Sequence, residues 1–331
     1  MCRPIVLFAL FSGVCASIAL LATPARAVIL FDKADRNTAA PDGLLRNSGW
    51  QWQGDFRGFI GTPISKKYFI TAGHIGGIAG NKLRLNGRAF TTTAHWDDPN
   101  SDLRIYTVNK KFDGWAPLHT AGREVGKHAM IFGRGTQRGA EVRVNNQLKG
   151  WEWGIEDRVQ SWGINAVDAV APGDAQEGDL LQFDFDSTGL VANEASLSTG
   201  DSAGGVFIYD KVTKQWQLAG INYSVDGPFS RTQGGATFQA ALFDMGGLYY
   251  GNQFIDDSSI DVPVKMYATR ISSKMDWIMG VLRGTIPPTM VAPITSRAAQ
   301  VPEPAAGTFA VTVALAMLAR RRRPSLAAAP V

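Results

Sequence analysis

Residues 198–208 read STGDSAGGVFI. Ser202 follows an aspartate, precedes Ala-Gly-Gly, and leads into the apolar run GVFIYD at 205–210. A serine in this setting is either the tip of a tight turn before a strand or a nucleophile held there. The stretch alone leaves both open. A nucleophilic serine needs a base to take its proton, an acid to orient that base, and N–H donors for the oxyanion.

The chain offers four histidines as bases. His74 ends the strand-like run YFITAGH and begins a glycine-rich turn, IGGIAG, so it can face a cleft. His119 and His128 sit among strand-like residues and are read as structural, with His95 a weaker alternative. For the orienting acid, Asp102 directly precedes LRIYTV, and a rigid strand there would fix its side chain; Asp97 and Asp98 lie in the turn before it. Asp98, Asn100 and Asp102 also have the 1-3-5 spacing of a calcium loop. Leu103 stands where such a loop needs glycine, and Asn109 where it needs glutamate, so no metal is expected.

The rest of the chain alternates short β-rich runs with turns. KKYFITAGH, KLRLNG, DLRIYTVN, EVRVNNQLKG, LLQFDFD, GVFIYD and WQLAGINYS all carry the strand signature. An all-β sandwich or pair of barrels is the expected class. One helix stands out in RISSKMDWIMGVLRG, where Ile271, Met275, Ile278 and Leu282 form one apolar stripe. Ser273 and Asp276 make a capping-box pattern at its start, and the helix ends at Gly280 or Gly284. IPPTMVAPITSRAAQ, at 286–300, is read as a linker.

TAGH, SDLRIYTV and TGDSAGG occur in the order His, Asp, Ser. Together they resemble the trypsin/chymotrypsin-like serine peptidases, which carry T-A-A-H, then D-[IL]-x-[hydrophobic], then G-D-S-G-G. LAGINYS is similar to the strand that follows the nucleophile in that family, and YATRISSKMDWI to its terminal helix segment. The resemblance implies two Greek-key β-barrels with a C-terminal helix, the first barrel over 28–120 and the second with the helix over 121–285. It implies His74 as general base, Asp102 as its orienter and Ser202 as nucleophile, with the backbone N–H groups of Gly200 and Ser202 as the oxyanion hole. Activity would fall at acid pH, because the base must be neutral to accept the proton. No cofactor is implied.

The chain departs from the family in four places. Ala203 stands where glycine follows the serine, and Gly73 replaces the alanine before the histidine. The family's common cysteines are absent, and Tyr223 falls where a serine often supports the aspartate. Ser196, six residues before Ser202, takes the pocket-base position, and Val225 the pocket wall. With no acid at 196, cleavage after Lys or Arg is disfavoured. The family's activation switch pairs a new N-terminal amine with the aspartate before the nucleophile, here Asp201. Cleavage after Ala27 would expose Val28; the alternative is a local partner for Asp201 and a plain strand at Val28.

The two ends are read as processing signals. Arg3, an apolar run and Ala25-Arg26-Ala27 make a secretory signal peptide over 1–27 with a signal-peptidase site. The uncharged stretch 305–319 would span about 22 Å as a helix, marginal for a bilayer, with the arginines at 320–323 cytoplasmic. Pro302-Glu303-Pro304, this run and the arginines resemble the PEP-CTERM sorting signal of bacteria, over 301–331, which implies processing by an exosortase. The body is then exported across the inner membrane to the envelope, surface or exterior, and is transiently anchored by the tail. Without the charged residues of these ends, 27 basic residues face 28 acidic ones, so the excess positive charge belongs to the ends. The body has no basic surface for nucleic acid. Both cysteines, Cys2 and Cys15, lie in the leader, so the body has no disulfide.

The function implied is a secreted, surface-directed serine endopeptidase acting on a protein or peptide substrate. The rival is a catalytically inactive member of the same fold that binds surface or exopolysaccharide matrix. Trp151, Trp153 and Trp162 could form its sugar-stacking face, or be core residues of a hairpin.

Overall fold

The computed structural model describes residues 28–187 and 191–289. The signal-peptide and sorting-tail readings lie outside the described residues. Among the described residues no helix is long and apolar enough to cross a membrane.

A short strand, β1 (Ile29–Leu30), comes first. Six more follow: β2 (Gly54–Phe56), β3 (Phe59–Ser65), β4 (Tyr68–Ala72), β5 (Lys82–Leu85), β6 (Arg88–Asp97) and β7 (Leu103–Val108). β2 to β7 close into an antiparallel barrel in the order β2-β3-β4-β7-β6-β5. Its strands alternate inward apolar with outward polar residues, as in Lys82-Leu83-Arg84-Leu85. Asn86 and Gly87 both take positive φ and join Leu85 to Arg88 in a two-residue hairpin, the geometry that Asn-Gly favours. Phe56, Phe69 and Tyr106 fill the barrel, with ring centroids 5.0–5.1 Å apart.

The second half carries β8 (His128–Gly133), β9 (Thr136–Val144), β10 (Gln147–Glu156), β11 (Ser161–Ala166), β12 (Ala169–Pro172), β13 (Asp179–Asp184), β14 (Ala195–Ser196), β15 (Gly205–Asp210) and β16 (Gln215–Val225). Five short strands follow, β17 (Phe229–Ser230), β18 (Thr237–Phe238), β19 (Ala240–Leu242), β20 (Tyr249–Tyr250) and β21 (Gln253–Phe254), then β22 (Lys265–Arg270). The main sheet has seven strands, β11-β8-β15-β16-β22-β13-β12. Ile131, Phe183, Val206, Ile208 and Met266 pack into one of its cores. A three-stranded sheet, β19-β10-β9, and a small four-stranded one stand beside it. The all-β class, the closed barrel of the first half and the terminal helix are as the resemblance implies, while the second half is built on the seven-stranded sheet.

EVRVNNQLKG is a hairpin rather than one strand. Asn145 and Asn146 take positive φ and turn β9 into β10, with Val144 opposite Gln147. The terminal helix, α1 (Met275–Arg283), starts later than the capping pattern predicts. Residues Ser272–Lys274 form a 3-10 turn, and the Ser273 hydroxyl donates back to the Arg270 carbonyl, so no capping box forms. Ile278 and Val281 are the fully buried residues of α1, while Met275 and Leu282 flank the core. Gly284, at φ 74, ends it.

Several links tie the halves together. β1 pairs with β14, placing the N-terminal segment on the second half, and Leu118 bridges to Leu218. Gln53, buried beside the barrel, accepts a hydrogen bond from Gly205 N at 3.0 Å and donates to Thr62 Oγ1. The strand that follows Ser202 is thereby tied to the barrel that carries His74.

Candidate active site

His74 and Asp102 meet at one end of the barrel. His74 follows β4, Asp102 precedes β7, and those strands are paired through Ala72 and Leu103. The backbone knits the two together first, because Gly73 N donates to Asp102 O at 2.7 Å. His74 N donates to Asp102 Oδ1 at 2.8 Å, and His74 Nδ1 lies 2.6 Å from Asp102 Oδ2. Both carboxylate oxygens are therefore spent on one histidine. A ring held this way carries its proton on Nδ1 and leaves Nε2 as the acceptor. The imidazole is partly exposed, while the Asp102 side chain is largely covered.

Ser202 is half-buried in the turn before β15. Three sets of contacts shape that turn. Asp201 is fully buried, and its Oδ1 accepts from Gly135 N at 2.8 Å. Its Oδ2 accepts from Ser198 N at 2.8 Å and from Ser198 Oγ at 2.9 Å. Burial still raises the Asp201 carboxyl to about 6. The local partner is thus the one this structure supplies for Asp201, and Val28 is buried at the head of β1.

Asn222 holds the other side of the turn. Its side-chain Nδ2 donates to Phe132 O and Asp201 O at 2.7 and 3.0 Å. Its backbone accepts from Ala203 N and donates to Gly204 O. Close approach makes the glycines compulsory: a Cβ on Gly204 would sit 1.8 Å from Phe132 O, and one on Gly133 1.9 Å from Asp201 Oδ1. Ala203 takes φ 67, a left-handed conformation that its methyl group opposes. The alanine thus holds a glycine-like turn conformation at a conformational cost. Gly200 takes φ 88, and among the described residues neither its N–H nor that of Ser202 donates to another backbone group.

Tyr223, one residue past Asn222, connects this turn to the histidine. Its ring meets the His74 imidazole at 5.9 Å between centroids, inclined at 72°. Its hydroxyl donates to Glu177 Oε1 at 2.9 Å.

The other predicted positions are placed as follows. Ser196 is fully buried opposite Ile29, and its hydroxyl donates to Leu197 O at 3.3 Å. Val225 is half-buried between two core clusters. His95 is buried against Tyr106, and burial and the Arg104 charge lower its pKa. His119 is buried with Gln217 on Nδ1, and His128 lies exposed in β8. Asp98 is engaged by Asn100 N, Ser101 Oγ and Lys274 Nζ, and no metal-binding cluster occurs among the described residues. Trp151 and Trp162 are buried, the first under the Arg138 guanidinium at 3.3 Å, so they offer no open stacking face.

Asn222, Ser198, Gly135, Gln53 and Glu177 are site-building residues that sequence reasoning missed. Only Asn222 left a signal, as a polar residue directly after the apolar run LAGI.

No protein-family model matches the chain, and no curated protein matches it in sequence. Among solved structures, neuropsin, a serine protease of mouse brain, is similar at a TM-score of 0.46 and 12% identity, covering 71% of this chain and 96% of its own. The passenger domain of plasmid encoded toxin, an autotransporter enterotoxin of enteroaggregative Escherichia coli, is similar at 0.42 and 14%. That match covers 72% of this chain and 22% of the toxin domain.

Proposed function

We propose that the protein is a serine endopeptidase with His74 as general base, Asp102 as its orienter and Ser202 as nucleophile. The observation that carries this reading is the doubly hydrogen-bonded His74–Asp102 pair, with Nδ1 committed to the carboxylate and Nε2 left to accept. Ser202 Oγ gives its proton to Nε2 and forms a bond to the carbonyl carbon of the substrate. The N–H groups of Gly200 and Ser202 receive the oxyanion. Collapse breaks the C–N bond, the imidazolium proton leaves with the amine, and water releases the acyl group by the same steps. Ser196 and Val225 are assigned to the substrate pocket, with cleavage after residues other than Lys or Arg. The substrate is a protein or peptide at the envelope or outside the cell, reached after signal-peptidase cleavage and exosortase processing of the tail.

The test is labelling of the purified protein with a fluorophosphonate. Wild type takes the label, and Ser202→Ala and His74→Ala do not. A folded wild type that stays unlabelled defeats the reading and favours the non-catalytic binding protein.

A further inference from the structure

Tyr223 replaces a small hydroxyl side chain in the resemblance, and its surroundings show what the larger ring does. Its backbone belongs to β16 in the second half, whereas its ring lies against His74 of the first half. The ring therefore crosses between the two sheets at the point where base and nucleophile must be brought into register. The far end is anchored: the hydroxyl donates to Glu177 Oε1, and Asp174 N donates to Glu177 Oε2 at 3.3 Å.

Glu177 sits in a loop that is itself pinned. Gly173 N donates to Gly178 O, and Gly178 N to Asp174 O. Asp174 Oδ1 accepts from the backbone N–H groups of Gln176 and Glu177. The loop also abuts the segment that carries Asp102. A Cβ on Gly178 would fall 2.8 Å from Asn100 O, and Lys274 Nζ donates to that same carbonyl at 2.6 Å. Burial, and then the Glu177 carboxylate, push the Tyr223 hydroxyl above its usual range, so it stays a donor. Asp102, by contrast, has both oxygens on His74 and uses none on Tyr223.

We infer that Tyr223, tethered by Glu177, is a positioning residue that fixes the plane of the His74 ring and shields its bond to Asp102 from water. The inference rests on the reading of His74 as the base. Tyr223 takes no proton and touches no reacting atom. It acts by restricting His74, whose Asp102 bond fixes one edge of the ring but not its tilt. Small misplacements of a reacting group are enough to cost rate, about a hundredfold for 1 Å.

Two readouts on the full-length protein test this. The first is saturation kinetics of fluorophosphonate labelling. Tyr223→Leu should lower the maximal labelling rate about tenfold or more, with the half-saturating concentration unchanged. Tyr223→Phe keeps the ring and should recover most of that rate. Tyr223→Phe and Glu177→Ala both remove the Tyr223–Glu177 hydrogen bond, and Glu177→Ala also loses the Asp174 N bond, so combining them should cost no more than Glu177→Ala alone. The second readout is the proton NMR signal of His74 Nδ1–H, which its short bond to Asp102 moves far downfield. Tyr223→Leu should broaden or abolish it through exchange with water, with the melting temperature as the control for folding.

Unchanged labelling and an unchanged resonance in a folded Tyr223→Leu overturn the inference. A wild type that shows the resonance but takes no label, with the resonance lost in Tyr223→Leu, upholds the positioning role and sinks the peptidase reading instead. A wild type with neither label nor resonance sinks both.

Discussion

Glu194 allows the sharpest thermodynamic test. It precedes β14, is 4% exposed, and its Oε1 has no hydrogen-bond partner. Burial is the main cause that pushes its carboxyl up to about 9, and the nearby Asp186, Asp168 and Asp184 add to it. The native state thus keeps Glu194 protonated at neutral pH, while the unfolded chain ionises it near 4.5. Its folded pKa is raised, so its contribution to stability is complete below about pH 4.5 and is lost as pH rises towards 9. At pH 7 the gap of about 2.5 pH units, at about 1.4 kcal/mol each, costs about 3 kcal/mol. Glu194→Gln copies the neutral acid and should recover that amount at pH 7. Asp201 and Asp226, each raised to about 6 by burial, are ionised in both states above pH 7. Between pH 7 and 9 the slope therefore belongs to Glu194, and wild type should lose about 2 kcal/mol across it. Urea unfolding at pH 4, 7, 8 and 9 measures this. A variant with the wild-type slope from pH 7 to 9 and no gain at pH 7 refutes the reasoning.

Other substitutions test the site and its supports. Ala203→Gly relieves about 1–2 kcal/mol of left-handed strain but loses a buried methyl and frees the unfolded chain, so unfolding should change by less than about 0.5 kcal/mol. Gly204→Ala, which drives a Cβ into Phe132 O, should cost at least about 3 kcal/mol in the same assay. Ser198→Ala removes a donor to Asp201 and the acceptor for Thr136 N, and should cost about 1–3 kcal/mol. It should also push Asp201 further up, so the fall in stability seen as pH rises towards about 6 extends to higher pH in a pH series of melts. Lys149→Met strands the buried Asp244 beside Asp257 and should cost about 3–5 kcal/mol, with faster amide exchange over 243–262.

The legible part of this fold was what local pattern controls. YFITA, LRIYTV and GVFIYD alternate or run apolar between turn residues, and each is a strand in place. His74 and Asp102 could be nominated because each borders such a strand, and β4 and β7 pair to bring them together. The hairpin at Asn145-Asn146 was missed: two asparagines invite positive φ, yet the flanking residues continue one alternating run and masked the turn. The capping box failed for a local reason, because Ser273 found the Arg270 carbonyl closer than the helix N-terminus. The contacts that support Ser202 were not legible, even where a residue such as Asn222 stood out. Gly135 and Asp201 are 66 residues apart, and Phe132 and Asn222 are 90 apart, so no window of sequence joins them. Tyr223 looked like a defect in the sequence because its partner, Glu177, lies 46 residues away.

The pairing of β1 with β14 has a consequence for the order of folding. Residues 54–108 make a barrel from contiguous chain and can close as soon as they emerge. Ile29 must wait for Ser196, and Asn37 for Trp162. Closing so long a loop is slow in general, although each doubling of its length adds only about 0.6 kcal/mol of entropy cost. The segment at 28–30 is therefore among the last to dock. Until residues 195–196 arrive, Val28 to Leu30 stay a bare apolar strand, open to capture by a chaperone or by a second chain.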